Sequence, residues 1–440
     1  MTGAARTAST GAARTVAVLA ALTLTAPLDL MIVAGARVFG RRTPPAPSSP
    51  QVARTVLVNG GKMTKSLQLA RSFHAAGHRV VLVESAKYRW TAHRFSRAVD
   101  AFHVVPEASD PGYVDALVRV ARAENVDVFV PVSSPASSVP DAEAGVAMGP
   151  SVDVVHADPE TIRRVDDKNR FADAAREFGV RVPQSHRITD PEQIADIDLP
   201  PGTSFVLKRI AYNPVGRMDL TPLRRETPEA NLTFARSLGI AEDDPWILQE
   251  FVTGREYCTH GTVRNGSLQV YGCCESSAFQ INYAMVDKPD ILAWVERFVA
   301  ELGATGQFSF DFIENGDGEV FAIECNPRTH SAITMFHDHP DVAAAYLGSE
   351  RAVITPLPSA RPTYWLYHEV WRLLTEPGRP ARLRTIARGR DAVLTGWDPW
   401  PWFLLHHLHV PSLLLANLRS GRGWSRIDFN IGKLVEQGGD

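Results

Sequence analysis

The chain has 440 residues, 45% of them hydrophobic and 22% charged, enough for two or three globular domains with substantial cores. A formal charge of −3 and the lack of any basic block argue against a nucleic-acid partner. The four cysteines, Cys258, Cys273, Cys274 and Cys325, form no CxxC pair and no zinc spacing, which fits a reduced, cytoplasmic setting for the main body.

Residues 16–36 are an apolar run whose only ionisable residue is Asp29 and which Pro27 interrupts. Arg6 and Arg14 precede it, and Arg37, Arg41 and Arg42 follow. The length reaches that of a membrane-spanning helix. A signal peptide, a membrane anchor and an apolar helix packed on the body compete. The anchor is the preferred expectation, with the C-terminal bulk on the cytoplasmic side. Residues 43–50, rich in Pro and Ser, read as a semi-rigid linker closing a first segment, 1–50.

From Thr55 the pattern becomes α/β. A buried strand at 55–58, a helix at 65–76, a strand at 79–83, a helix near 113–124 and a strand at 126–132 predict a small parallel sheet in a domain spanning 51–150. The turn Gly60-Gly61-Lys62 lacks phosphate-loop spacing. It can still offer backbone N–H groups to an anionic substrate at a helix start. Residues 133–150 are rich in Ser, Pro and Gly and are expected near a cleft.

Asp158-Pro159 supplies an N-cap and a first-turn proline for one helix or two ending at Gly179. Lys168 lies within it. A second lysine, Lys208, ends the apolar strand 204–208. The pair points to nucleotide phosphates only together with the acidic hairpin described next. Residues 246–252 form another apolar strand. The backbone of Glu250, Phe251 and Val252 can meet an adenine edge, and Glu256 can accept hydrogen bonds from ribose hydroxyls.

Residues 308–328 read as a β-hairpin. Phe308, Phe310 and Phe312 alternate with Ser309, Asp311 and Ile313, and the turn is Asn315-Gly316-Asp317-Gly318. Closure about Gly316 and Asp317 sets Asp311 opposite Ala322, with Glu324 diagonal on the same face at about 7–8 Å and Asn326 following. Two carboxylates and a carboxamide on one sheet face suit Mg²⁺, with Mn²⁺ as a substitute. Arg328 can reach a transferred phosphate. A one-residue slip would separate the acids. Beyond Asp341, forming an extension over 346–440, five tryptophans and leucine runs read as packing residues or as a bilayer-interface tail.

In this order, the residues resemble the ATP-grasp superfamily over about 168–328. The resemblance implies an α/β and α+β fold, an ATP-grasp domain over 151–345 and a Rossmann-like domain before it. It implies ATP and Mg²⁺ as cofactors, with Lys168 and Lys208 on the ATP phosphates, 250–252 as the adenine hinge and Glu256 on the ribose. Asp311, Glu324 and Asn326 are then the metal ligands, and Arg328 and Lys208 are catalytic. One departure is the glycine-poor flap 208–217, where Arg209 and Arg217 stand in as phosphate contacts.

A narrower likeness rests on Cys258-Thr259-His260, Cys273-Cys274-Glu275-Ser276-Ser277-Ala278-Phe279-Gln280, Ala211-Tyr212-Asn213 and Glu324-Cys325-Asn326-Pro327-Arg328-Thr329-His330-Ser331-Ala332. These look like the ATP-grasp ligase of mycosporine-like amino acid biosynthesis, which implies glycine and 4-deoxygadusol as substrates. Arg264, Glu275, Ser276, Asn282, Thr329, His330 and Ser331 are the expected substrate contacts. Arg264 or Arg328 would hold a glycine carboxylate, and His330 would assist proton removal. A general carboxylate–amine ligase and a non-catalytic nucleotide-binding protein are the other classes. A homodimer is compatible with all of them.

Overall fold

The computed structural model describes residues 2–49, 51–197, 199–200, 202–210, 223, 227–276, 282–348 and 352–436, without the side chains of 2–10. The flap residues 211–217, with Tyr212, Asn213 and Arg217, and the run 277–280 lie outside the described residues.

Helix α1, Thr2–Phe39, leads into a parallel sheet. Its strands are β1 (Thr55–Val58), β2 (Arg79–Ser85), β3 (Ala101–Val105), β4 (Val128–Val130) and β5 (Asp153–Val154), in the order β3-β2-β1-β4-β5. Helices α2 (Thr64–Ala75), α3 (Tyr113–Ala123) and α4 (Ser138–Met148) connect them. Val56, Leu57 and Val58 are wholly buried, as in a sheet covered on both faces.

The segment after Asp158, read as one helix or two, is two helices, α5 (Pro159–Asp166) and α6 (Lys168–Glu177). Asp158 caps the first, accepting from Glu160 N and Thr161 N. Asp167 caps the second, accepting from Asn169 N and Arg170 N. A second carboxylate able to cap is what restarts the chain as a new helix.

Two antiparallel sheets follow. One joins β6 (Ser185–Ile188), β7 (Phe205–Arg209) and β8 (Trp246–Glu250) in the order β6-β8-β7. The other holds β9 (Arg255–Arg264) and β10 (Ser267–Glu275) and, after the short β11 (Asn282–Tyr283), β12 (Gly306–Glu314) and β13 (Val320–Asn326), in the order β10-β9-β12-β13. Gly254 is required where β9 begins, because a Cβ there would lie 1.8 Å from Glu314 O. Phe171 of α6, Trp294, Phe298, Phe310 and Phe312 form the core behind this sheet, with Trp294 and Phe298 stacked at 5.1 Å.

The C-terminal part is not a separate lobe. Trp402, Leu405 and Leu414 share one core with Leu22 and Val33 of α1 and with Val56 and Val58 of the first sheet. Trp365 and Trp402 are buried, as packing predicts, while Trp371 is exposed. The preferred anchor reading of 16–36 is modified here: α1 docks lengthwise on the body, against the helices Trp400–Leu404 and Val410–Ser420.

Candidate active site

The hairpin register differs from the symmetric closure. Asn315 Oδ1 accepts from Asp317 N and Glu319 N, so the connection is 315–319, and Glu314 and Val320 form the first pair. That register alone would set Asp311 against Ile323 and turn Glu324 to the opposite face. A β-bulge at Ile323 prevents this. Phe312 faces Ala322, then Asp311 faces Glu324 directly and Ser309 faces Asn326.

Asn326 Nδ2 donates to Asp311 Oδ2 (3.2 Å) and Glu324 Oε1 (3.4 Å), and its Oδ1 accepts from Arg328. As placed, Asn326 spends its Nδ2 on the two acids and one lone pair of its Oδ1 on Arg328. Burial, then the facing Glu324, holds the Asp311 carboxyl well above the usual carboxylate range. Burial also pushes Glu324 upward, but Lys168 leads the groups that draw it down to about 2. Two inward-facing carboxylates, only one of which ionises readily, are the arrangement a divalent cation relieves. The residues therefore fit Mg²⁺ through Asp311 and Glu324.

Lys168 stands in the first turn of α6. Phe171, one turn on, rests against Phe310 and Phe298, which aims the lysine at the hairpin face. Its Nζ lies 3.3 Å from Glu324 Oε2. Lys208 on β7 donates to Gln249 Oε1 at 3.0 Å, and burial lowers its pKa. Arg328 pairs with Asp166 at 3.4 Å. Lys168, Lys208, Glu256, Asp311, Glu324, Asn326 and Arg328 all line one cavity of about 1650 Å³, with Ser276, Thr329, His330 and Ser331.

Other expected residues fall elsewhere. Arg264 is at the opposite end of β9 from Glu256, where it grips Asp153 of the first sheet at 2.8 and 2.9 Å. Glu256 and Arg264 are eight residues apart, about 26 Å along the strand, and of the two Glu256 alone lines the cavity. Glu275 and Asn282 are not in the cavity wall, although their neighbours Ser276 and Tyr283 are. In β11, strand alternation turns Asn282 away from the side that Tyr283 presents. The N–H groups of Glu250 and Phe251 are already spent on Gln184 O and Ser204 O. Neither they nor Val252 line the cavity. Arg209 reaches the wall but is bound to Asp244.

His330 differs from its expected role. Its Nδ1 accepts the Ala332 N–H, so the neutral ring carries its proton on Nε2 and has no lone pair there to act as a base. The same point bears on Cys258, Cys274 and His330, whose donor atoms lie within 4.8 Å of one another. A ring with Nε2 protonated does not ligate, so this is a hydrogen-bonded thiol cluster.

Sequence reasoning missed Lys65. It is buried at the start of α2, with Nζ on Thr329 O and facing the cavity. Burial, then Arg328 and Lys62, lowers its pKa to about 7. The one available signal was its position three residues after Lys62 at the turn already noted. Ser133 and Ser134 are in the same wall, and Asp141, bonded to Asn59, Tyr113 and Ser133, holds their loop.

The fold is the ATP-grasp fold. N5-carboxyaminoimidazole synthetase from Staphylococcus aureus with ADP superposes with a TM-score of 0.54 at 15% identity, over 72% of this chain and 82% of that one. The biotin carboxylase domain dimer of Hydrogenobacter thermophilus 2-oxoglutarate carboxylase, with MgADP and bicarbonate, gives 0.52 at 14% identity, over 69% and 72%. In sequence, the carbamoyl phosphate synthase large chain of Vibrio cholerae is 26% identical over 48% of this chain. The match spans only 20% of that relative's length. No family model matches the chain.

Proposed function

We propose that the protein is an ATP-dependent ligase that joins glycine to 4-deoxygadusol, giving mycosporine-glycine, ADP and phosphate. The observation that supports it best is a juxtaposition. Lys168 and Lys208 flank the Asp311–Glu324 pair in the same cavity that holds Arg328, Thr329, His330 and Ser331. The last four belong to the run that resembles the mycosporine ligase.

The cyclohexenone is a vinylogous acid. Its enolic oxygen takes the γ-phosphoryl group, and the bond to the bridging oxygen of ADP breaks. The glycine nitrogen, having lost its extra proton, adds to the ring carbon. The C–O bond then breaks, phosphate leaves with the electron pair, and the nitrogen gives up a second proton to leave the neutral vinylogous amide. Mg²⁺, held by Asp311 and Glu324, would supply charge neutralisation at the phosphates. Lys168, Lys208 and Arg328 are the side-chain cations for the transferring phosphoryl group. Lys65, able to exist as a neutral amine near pH 7, suits the proton acceptor better than His330.

The test is ADP release from Mg·ATP and 4-deoxygadusol, with and without glycine, followed by mass analysis. Glycine-dependent formation of mycosporine-glycine is the expected result. Turnover only with a carboxylate and an amine would move the assignment to a general carboxylate–amine ligase. ATP binding without turnover would leave a nucleotide-binding protein.

A further inference from the structure

Helix α1 carries its polarity inside out. Thr15, Leu22 and Asp29 repeat every seven residues, and all are buried against the body, as is Val33. The polar members of this inner face are satisfied there. Trp424 Nε1 donates to Thr15 Oγ1 at 2.9 Å, and Thr25 Oγ1 meets the Tyr367 hydroxyl at 2.9 Å. Asp29, 2% exposed, accepts from Tyr367 OH at 2.6 Å and from His407 Nε2 at 2.7 Å.

The outer face is apolar. Leu24 is 80% exposed and Met31 64%, and Leu28 and Val38 complete a stripe at helical spacing. Ala17, Ala20 and Ala34 flank it, and the exposed Thr23 turns its hydroxyl back onto Leu19 O, so the face lacks the charged rim of a protein–protein interface. A helix lying on a water-exposed body shows the reverse arrangement. Positive charge gathers at one end, where Arg37, Arg41 and Arg42 are exposed, and no acidic residue occurs from 30 to 50.

We infer that the outer face of α1 seats in the acyl region of an anionic lipid bilayer, with the helix lying along the surface instead of crossing it. Crossing would pull Asp29 from both of its donors into hydrocarbon and strip Leu22 and Val33 from a core shared with Val56 and Trp402. Lying flat keeps every inner contact and sets the arginines among anionic headgroups. Val18, Leu22 and Thr25 also line the catalytic cavity, so one helix has the bilayer on one side and the substrate space on the other. This surface stands apart from the chemistry proposed above, because its test reads binding and not turnover.

The experiment is flotation of the full chain with vesicles of phosphatidylcholine alone or with phosphatidylglycerol added. The wild type should float, more completely with the anionic lipid. The variant Leu24→Glu/Leu28→Glu/Met31→Glu should stay at the bottom, with unaltered gel-filtration volume and circular dichroism. Failure of the wild type to float, or equal flotation of the variant, overturns the inference. So does a lipid-free dimer that the variant dissociates while neither form floats, since the occupant is then a second copy. A membrane-impermeant maleimide should label Ala12→Cys and Arg42→Cys equally on intact vesicles. Protection of position 12 alone would show a crossing helix and overturn the flat arrangement.

Discussion

Asp311 faces Glu324 across the hairpin because Ile323 bulges out of the pairing. Their carboxylates repel, and Asn326 and Lys168 partly relieve that repulsion. Asp311→Asn should therefore abolish the expected activity, lowering kcat by at least about 10²-fold, while thermal stability holds or rises. Steady-state ADP release and a melting curve in parallel check both halves. A variant with near-normal turnover would remove Asp311 from the metal role.

Lys208 is held by Gln249 and lies in the cavity wall. Lys208→Ala should cut kcat by roughly 10²-fold through loss of a charge on the transferring phosphoryl group. Single-turnover measurements would separate this from weaker ATP binding.

Lys65 offers a pH dependence. With its pKa near 7 in the folded chain, it is neutral above that pH and charged below. On the proposed reading Lys65 is the base and must be neutral, so kcat/KM for glycine should rise through pH 7 to a plateau, and Lys65→Arg should be inactive throughout. Stability follows the same group. Below pH 7 the folded chain carries the full cost of a buried charge. Between about 7 and the ordinary lysine value, the unfolded chain binds more protons, so stability rises with pH. Lys65→Met should flatten that rise in denaturant titrations at pH 6 and 9.

Arg264 grips Asp153 far from the cavity. Arg264→Ala should leave KM for every substrate unchanged and lower stability, because among the described residues Asp153 then keeps only the longer cationic contact to Arg54 at 3.8 Å. A selective rise in KM for glycine would restore Arg264 to the substrate site.

Asp29 fastens α1 to the body. Removing one partner of a buried charged contact costs about 3–5 kcal/mol. Asp29→Ala should therefore loosen α1 and speed proteolytic cleavage in the linker 43–50, which a timed digest resolves.

Much of this protein is determined locally. Alternating phenylalanines make the hairpin strands, Asp158 and Asp167 start helices by capping, and the order of Lys168, Lys208, Asp311 and Glu324 indicates the fold. The strands and caps depend on neighbours within a few residues, where period and capping chemistry act, and the order of the four site residues is read along the chain without any contact between them. Tertiary structure decided the rest. The Ile323 bulge depends on the turn and on pairing with β9, which side-chain alternation does not encode. Lys65 acquired its character from burial against Thr329 and Arg328, more than 260 residues away. Arg264 left the site because strand length carried it there. Helix α1 became a docked wall because Tyr367 and His407 answer Asp29, and no local pattern reports which distant donor meets a buried acid.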